Sequence, residues 1–198
     1  MRIFGARRGG VSRQTDYATA TDFCRIFDSD MNRLYLLASL LTADRDLAEK
    51  CFVSGLEDAK ASNPVFKDWA ESWARRTIIV NAIRLLAPYA VRSAMSVPKS
   101  SALLELKSLP PQLAAIVSLG AFERFVFVMS VLEGYPDRDC RLLLNCSSAD
   151  FAEARIRAMQ QLSTSAESAR HSEEYIVGFP SELHDCESEI KPSLEVQA

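Results

Sequence analysis

The chain has 198 residues, a net charge of −3 and an apolar fraction of 48%. That length suits one large domain or two small ones, and the pattern of the chain favours two. No apolar run approaches the roughly 18 residues that a membrane-spanning helix needs. Residues 1–10 contain arginines but lack the apolar stretch of a secretory signal. The sequence therefore excludes an integral membrane protein and predicts a cytoplasmic one.

The charge is unevenly distributed along the chain. Residues 1–21 hold four arginines and one aspartate, whereas residues 163–198 hold eight acidic and two basic residues, which leaves the middle neutral. A neutral middle lacks the basic stripe that is typical of a dedicated nucleic-acid-binding domain. We expect a basic N-terminal arm over residues 1–21 and a mostly disordered acidic tail over residues 163–198.

The chain has few residues of the types that usually bind metals or take part in catalysis. The five cysteines are odd in number, widely spaced and without a C-x-x-C pair, so we expect neither a disulfide framework nor a metal site. The two histidines lie in the acidic tail, where a solvated side chain is the simplest reading. The chain has no Gly-rich phosphate loop and no nucleophile with an evident base. We therefore expect no cofactor and no enzymatic activity.

The N-terminal part of the chain predicts a helical lobe over residues 22–87. Apolar residues recur every three or four positions over residues 22–41, which fits one helix weakened at residues 28–30 or two short helices. Thr42 and Asp44 are candidate caps for the next helix, which should end at about residue 61.

A further helix is predicted from about residue 65 to residue 86, before Pro88. Its large apolar side chains fall on one helical stripe, which favours a place in the core over stacking on nucleobases. These residues are Phe66, Trp69, Trp73 and the stretch 78–83. Three arginines flank the stripe and should face solvent, where they are either simply solvated or in contact with phosphate. They are Arg75, Arg76 and Arg84.

Residues 88–108 lack a sustained apolar face and predict a linker, with one short helix around residues 102–107. A second lobe is expected over residues 109–162, where prolines begin helices and the apolar pattern continues to Gly134.

The end of this second lobe has the spacing of a helix-turn-helix. Pro136 should begin a short helix that ends at Leu144, and Asn145 can adopt the left-handed closing conformation. Ser147 can cap a last helix that extends to about Leu162. A short helix, a turn of about four residues and a second helix form the helix-turn-helix pattern.

Residues 109–162 resemble the promoter-binding C-terminal domain of extracytoplasmic-function (ECF) sigma factors of bacterial RNA polymerase. The matching features are Leu109-Pro110, the apolar stretch 125–132, Glu133-Gly134-Tyr135, Leu143-Leu144 and Cys146-Ser147. The resemblance implies a helical unit whose last helix enters the major groove of promoter DNA. It assigns DNA contact to Ser147, Ser148, Arg155 and Arg157.

The first lobe is similar to the N-terminal domain of the same family, in residues 34–52 (LYLLASLLTADRDLAEKCF) and 66–86 (FKDWAESWARRTIIVNAIRLL). This resemblance implies contact with core RNA polymerase through three acidic residues, Asp44, Asp46 and Glu49. It implies promoter contact through Arg75, Arg76 and Arg84. An anti-sigma factor is a further partner that the family suggests.

Two departures from the family keep a second hypothesis open. Lys50 to Ser54 replace the acidic, Gln-Glu stretch that usually contacts the polymerase, and Asp150 and Glu153 stand where the family has exposed basic residues. Acidic side chains near phosphates lower affinity for DNA. The leading hypothesis is a divergent ECF-type sigma factor with an all-α fold of two small lobes, the second containing the helix-turn-helix. The alternative is a sigma-fold regulatory module that binds proteins and has lost promoter binding.

Overall fold

A computed structural model describes residues 16–62, 64–89 and 110–177, with side chains up to residue 167. Within these ranges the chain forms eight α-helices and no β-strand, so the predicted all-α class is confirmed. The expected N-terminal arm (except residues 16–21), most of the linker with its short helix, and residues 178–198 lie outside the described residues. No described helix is both long and apolar enough to cross a membrane.

The N-terminal helices are α1 (Ala20–Ser29), α2 (Met31–Thr42), α3 (Arg45–Ala61) and α4 (Ala70–Leu86). We refer to α1–α4 as the N-terminal lobe. Of the two readings for residues 22–41, two short helices is correct, and Asp30 lies at the break between them.

The cap predicted for α3 is present. The carboxylate of Asp44 accepts a hydrogen bond from the backbone N–H of Leu47 at 3.0 Å. The hydroxyl of Thr42 instead donates to the carbonyls of Ala38 and Asp44, so Thr42 closes α2 and does not begin α3. The positive end of α3 is therefore satisfied by an aspartate, as the sequence indicates.

The predicted start of α4 at about residue 65 is wrong. The helix begins at Ala70, after a 3₁₀ turn at Lys67–Trp69. Val65 and Phe66 lie outside the helix because this segment pairs with residues 16–18: the N–H of Ala18 donates to the carbonyl of Val65 at 2.7 Å. The N–H of Lys67 donates to the carbonyl of Asp16 at 2.9 Å. Because of this pairing, residues 65–67 do not belong to α4.

Helices α3 and α4 pack closely against each other at Gly55. A Cβ on Gly55 would lie 2.6 Å from Cδ1 of Ile78, so glycine permits this approach. Beside it, the buried thiol of Cys51 donates to the carbonyl of Ile78 at 3.2 Å. Burial raises the pKa of Cys51 to about 12, which keeps the thiol protonated and structural in role.

The C-terminal helices are α5 (Pro111–Ser118), α6 (Ala121–Phe127), α7 (Asp137–Leu144) and α8 (Ser148–Val177), and a π-helical turn, Val128–Leu132, extends α6. We refer to α5–α8 as the C-terminal lobe. The bounds of α7 match the prediction, and Asn145 has the expected left-handed backbone, with φ of 51°.

Helix α8 is longer than predicted. It does not end at about Leu162 but continues to Val177, so residues 163–177 are helical and not part of a disordered tail. Its start is the predicted one, since the hydroxyl of Ser147 accepts from the N–H of Asp150 at 3.1 Å. The sequence has no glycine or proline between residues 148 and 177, and this absence of helix breakers accounts for the extension.

The sequence predicts two separate lobes, but the buried apolar residues of α1–α4 and α5–α8 belong to one core, so the division into two lobes is not confirmed. Helix α2 contacts α5 and α6, and α4 contacts α7. The side chain of Arg124 in α6 is 6% exposed and crosses this interface. Its guanidinium donates to the carbonyl of Leu41 at 3.2 Å, and to the carbonyl of Leu119 at 2.9 Å. Burial lowers the pKa of Arg124 to about 10, which leaves it charged at neutral pH.

Candidate nucleic-acid interface

Two large aromatic side chains of the N-terminal lobe lie at the surface. Trp69 is 64% exposed and Phe66 is 43% exposed, so the prediction that both belong to the core is wrong. They precede α4, in the extended and 3₁₀ segments, and therefore leave the helical stripe that Ala70, Ala74 and Ile78 carry into the core. The periodicity misplaced them because it assumed one continuous helix.

These aromatic residues form a surface cluster with Tyr17. The rings of Tyr17 and Phe66 are stacked, with centroids 4.7 Å apart and an interplanar angle of 27°. Phe66 meets Trp69 edge to face at 5.4 Å. Since the cluster is anchored by the backbone pairing of residues 16–18 with 65–67, its rings are held in place while one side remains open to solvent.

A cavity of about 670 Å³ lies beside this cluster, and we call it the aromatic groove. The side chains that line it include Val65, Phe66, Trp69, Trp73, Arg76 and Arg84. Its lining thus combines aromatic and apolar side chains with two guanidinium groups and the carboxylate of Asp58. Trp73 is half-buried in the wall, and its indole N–H has no acceptor among the described residues.

The three arginines predicted to contact DNA differ in their partners. Arg84 is paired with Asp58 at 2.7 Å, an exposed ion pair within the N-terminal lobe. Arg75 lies 3.9 Å from the carboxylate of Glu133, which belongs to the C-terminal lobe. Arg76 makes no ion pair or hydrogen bond with any residue that the structure describes. Arg76 is therefore the member of the trio best placed to meet an external anion.

A second cavity of about 370 Å³ adjoins the aromatic groove and is bounded by both lobes. Trp69, Trp73 and Arg76 line both cavities. The opposite wall of this interlobe cavity is the segment from Glu133 to Asp139. The C-terminal lobe therefore places two carboxylates, those of Glu133 and Asp139, in the cavity that adjoins the aromatic groove.

The residues predicted to read DNA in the C-terminal lobe are occupied by contacts within the chain. Arg155 is paired with Asp137 at 2.9 Å, and its guanidinium lies 5.7 Å from the ring centre of Phe151. Arg157 is paired with Glu153 at 2.8 Å, and its Nε lies 3.1 Å from Glu123 without hydrogen-bond geometry.

Ser147 caps α8 as predicted, and Ser148 begins the helix with an exposed side chain. Between Ser148 and Leu162 the solvent face of α8 is partly apolar: Ala152 is exposed, Ile156 is 58% exposed and Met159 is 50% exposed. These residues are spaced by four and three positions and so share one face of the helix. Apolar side chains there cannot donate hydrogen bonds to base edges or phosphates.

The acidic residues predicted to contact polymerase lie at the start of α3. Asp44 is the cap described above, while the side chains of Asp46 and Glu49 are exposed. A helix start is the usual position for acidic residues, since the helix dipole favours them there. Asp46 and Glu49 are nevertheless free to meet a partner.

Within the described residues, no three histidine, cysteine or acidic side chains are grouped as a metal ion would require. A scan against protein-family models finds no match for this chain, and searches of curated proteins and of solved structures find none either.

Proposed function

We propose that this chain is a divergent ECF-type sigma factor, which binds core RNA polymerase and directs it to promoter DNA in the cytoplasm. The observation that carries the proposal is the aromatic groove, where exposed Trp69 and Phe66 adjoin Arg76. Proteins that bind single-stranded nucleic acid combine aromatic side chains, on which bases stack, with arginines that meet the backbone. A strand opened at a promoter presents those bases and phosphates.

The position of the groove along the chain also supports the proposal of a sigma factor. It lies at the start of α4, within the segment 66–86 whose resemblance to the family assigns promoter contact to Arg76 and Arg84. Stacking at Trp69 supplies affinity that does not depend on a strongly basic surface, since each stacked base contributes about 1–3 kcal/mol. A lobe with no net basic stripe can therefore still bind a single strand.

Asp46 and Glu49 are the residues to which we assign the polymerase contact. They are exposed on the first turns of α3. Copurification of tagged chain from its native cell tests this assignment. We expect polymerase subunits to copurify with the wild type and to be lost with Asp46→Lys and Glu49→Lys combined, whereas retention of the subunits by the double variant would contradict it.

A second candidate function is a regulatory module that binds protein partners through its C-terminal lobe. The specific observation in its favour is the apolar face of α8 formed by Ala152, Ile156 and Met159, together with the pairing of Arg155 and Arg157. Duplex DNA that carries the native promoter separates the two functions. Sequence-specific duplex binding that Arg155→Ala weakens supports promoter reading by α8, and duplex affinity at the non-specific level supports the regulatory module.

A further inference from the structure

The C-terminal lobe brings carboxylates to Arg75 and Arg76 in the interlobe cavity, which adjoins the aromatic groove. Oε2 of Glu133 lies 3.9 Å from Nη1 of Arg75, and this ion pair joins the two lobes. Asp139, also in the C-terminal lobe, lines the same interlobe cavity as Arg75 and Arg76. The charge that faces the two arginines from the C-terminal lobe is thus negative, as a phosphate would be.

Glu133 is largely shielded from water, which strengthens its effect on its neighbours. Its side chain is 18% exposed, whereas that of Arg75 is 39% exposed. Burial raises the pKa of Glu133, and the nearby Arg75 partly offsets this increase. A half-buried carboxylate is screened less by salt than an exposed one, so it repels an approaching anion more effectively.

The position of Glu133 depends on the packing between lobes. Glu133 follows the π-helical turn that extends α6, and the buried Arg124 of α6 holds this helix against the carbonyl end of α2. A weak ion pair at the surface would be readily displaced. Here a buried interface positions the carboxylate, so Glu133 stays beside Arg75 for as long as the lobes remain packed.

We propose that packing of the C-terminal lobe inhibits the binding of a nucleic-acid strand that extends from the aromatic groove into the adjoining interlobe cavity, because Glu133 competes with a phosphate for Arg75, which lines that cavity. The inference rests on the proposed function of the groove and adds its regulation. A strand that reaches Arg75 must displace Glu133, and any partner that separates the lobes releases the arginine. Arg84 is not controlled in this way, since its partner Asp58 lies in the N-terminal lobe.

The test uses the full chain and a fluorescent single-stranded oligonucleotide of mixed sequence at low salt. Glu133→Gln removes the charge and keeps the shape, and we expect it to tighten binding about threefold to fivefold. Asp137→Asn is the matched control, because it makes the same change in net charge within the C-terminal lobe but frees Arg155. Equal affinities for Glu133→Gln and Asp137→Asn would overturn the proposal.

A double-mutant cycle locates the effect at Arg75. If Glu133 acts by occupying Arg75, the gain from Glu133→Gln disappears in a chain that also carries Arg75→Ala. A gain of the same size in that background would show that Glu133 acts elsewhere and would also overturn the proposal.

Trp69→Ala separates this proposal from the one on which it rests. If Trp69→Ala weakens strand binding but Glu133→Gln behaves like Asp137→Asn, the groove binds nucleic acid and only the inhibition is refuted. If Trp69→Ala leaves strand binding unchanged, or the wild type binds no strand, the proposed function of the groove itself is refuted.

Discussion

The two lobes both carry arginines on helices, but they place their aromatic side chains differently. In the N-terminal lobe, Trp69 and Phe66 lie at the surface beside Arg76. In the C-terminal lobe, Phe122, Phe125 and Phe151 are buried, and the two arginines predicted to contact DNA, Arg155 and Arg157, are paired with carboxylates. The number of basic residues therefore does not distinguish these two surfaces. What distinguishes them is that an open aromatic face in the N-terminal lobe adjoins Arg76, which has no carboxylate partner among the described residues.

The largest effect is expected on stability, from a substitution at the contact between the lobes. This contact couples the two lobes. Arg124→Met leaves the carbonyls of Leu41 and Leu119 without their donor in a dry interface, and we expect the free energy of unfolding to fall by about 2–4 kcal/mol. Chemical denaturation followed by circular dichroism measures this change. The matched control is Arg138→Met, at an exposed position of α7, which should change stability by less than about 0.5 kcal/mol. Equal stabilities of the two variants would show that Arg124 does not hold the interface.

The next effect concerns the aromatic groove. Trp69→Ala removes the exposed stacking surface, and we expect the affinity for a single-stranded oligonucleotide to fall about tenfold. Fluorescence anisotropy of the labelled strand provides the measurement. Leu142→Ala truncates a comparably exposed apolar side chain in the C-terminal lobe and should leave the affinity unchanged. A loss of similar size with Leu142→Ala would erase the distinction between the lobes.

A smaller effect is expected in the salt dependence of binding. Because Arg76 has no carboxylate partner among the described residues, we assign it one phosphate contact, and Arg76→Ala should reduce the logarithmic salt slope by about 0.7 for a single strand. Arg155, which is paired with Asp137, serves as the comparison in the C-terminal lobe. If Arg155→Ala reduces the slope as much as Arg76→Ala does, pairing within the chain does not decide which arginines meet phosphate.

The smallest effect is the contribution of Glu133 to the pH dependence of stability. The pKa of Glu133 is raised above its ordinary value of 4.5, chiefly because the side chain is buried. Between 4.5 and the raised pKa the folded chain binds more protons than the unfolded chain, so this group lowers stability as pH increases through that window. Denaturation curves across the window should show that the stability of Glu133→Gln falls less, or rises more, with increasing pH than that of the wild type. A dependence that the variant leaves unchanged would contradict the burial of this carboxylate.

Much of the helical framework could be predicted from the sequence because local signals determine it. The cap at Asp44, the left-handed Asn145 and the cap at Ser147 each depend on a side chain within a few residues of the backbone groups that it satisfies. The break between α5 and α6 at Leu119 and Gly120 was not predicted, since the apolar pattern continues across it.

The candidate site could be predicted only in part, because it depends on contacts between distant segments. Phe66 and Trp69 are exposed because residues 65–67 pair with residues 16–18, about 50 positions earlier in the chain. The pairing of Arg75 with Glu133 likewise joins residues in different lobes. Periodicity carries no information on such contacts. The sequence therefore identified Arg76 as a candidate but placed the neighbouring aromatic rings in the core.

The central claim is that a strand stacks in the aromatic groove, and intrinsic fluorescence tests it most directly. The chain has two tryptophans, Trp69 and Trp73, and both line the groove. Titration with an unlabelled single-stranded oligonucleotide should quench their emission, and Trp69→Phe should remove most of that quenching while it retains most of the affinity. A strand that binds, as anisotropy detects, without any change in tryptophan emission would contradict the claim.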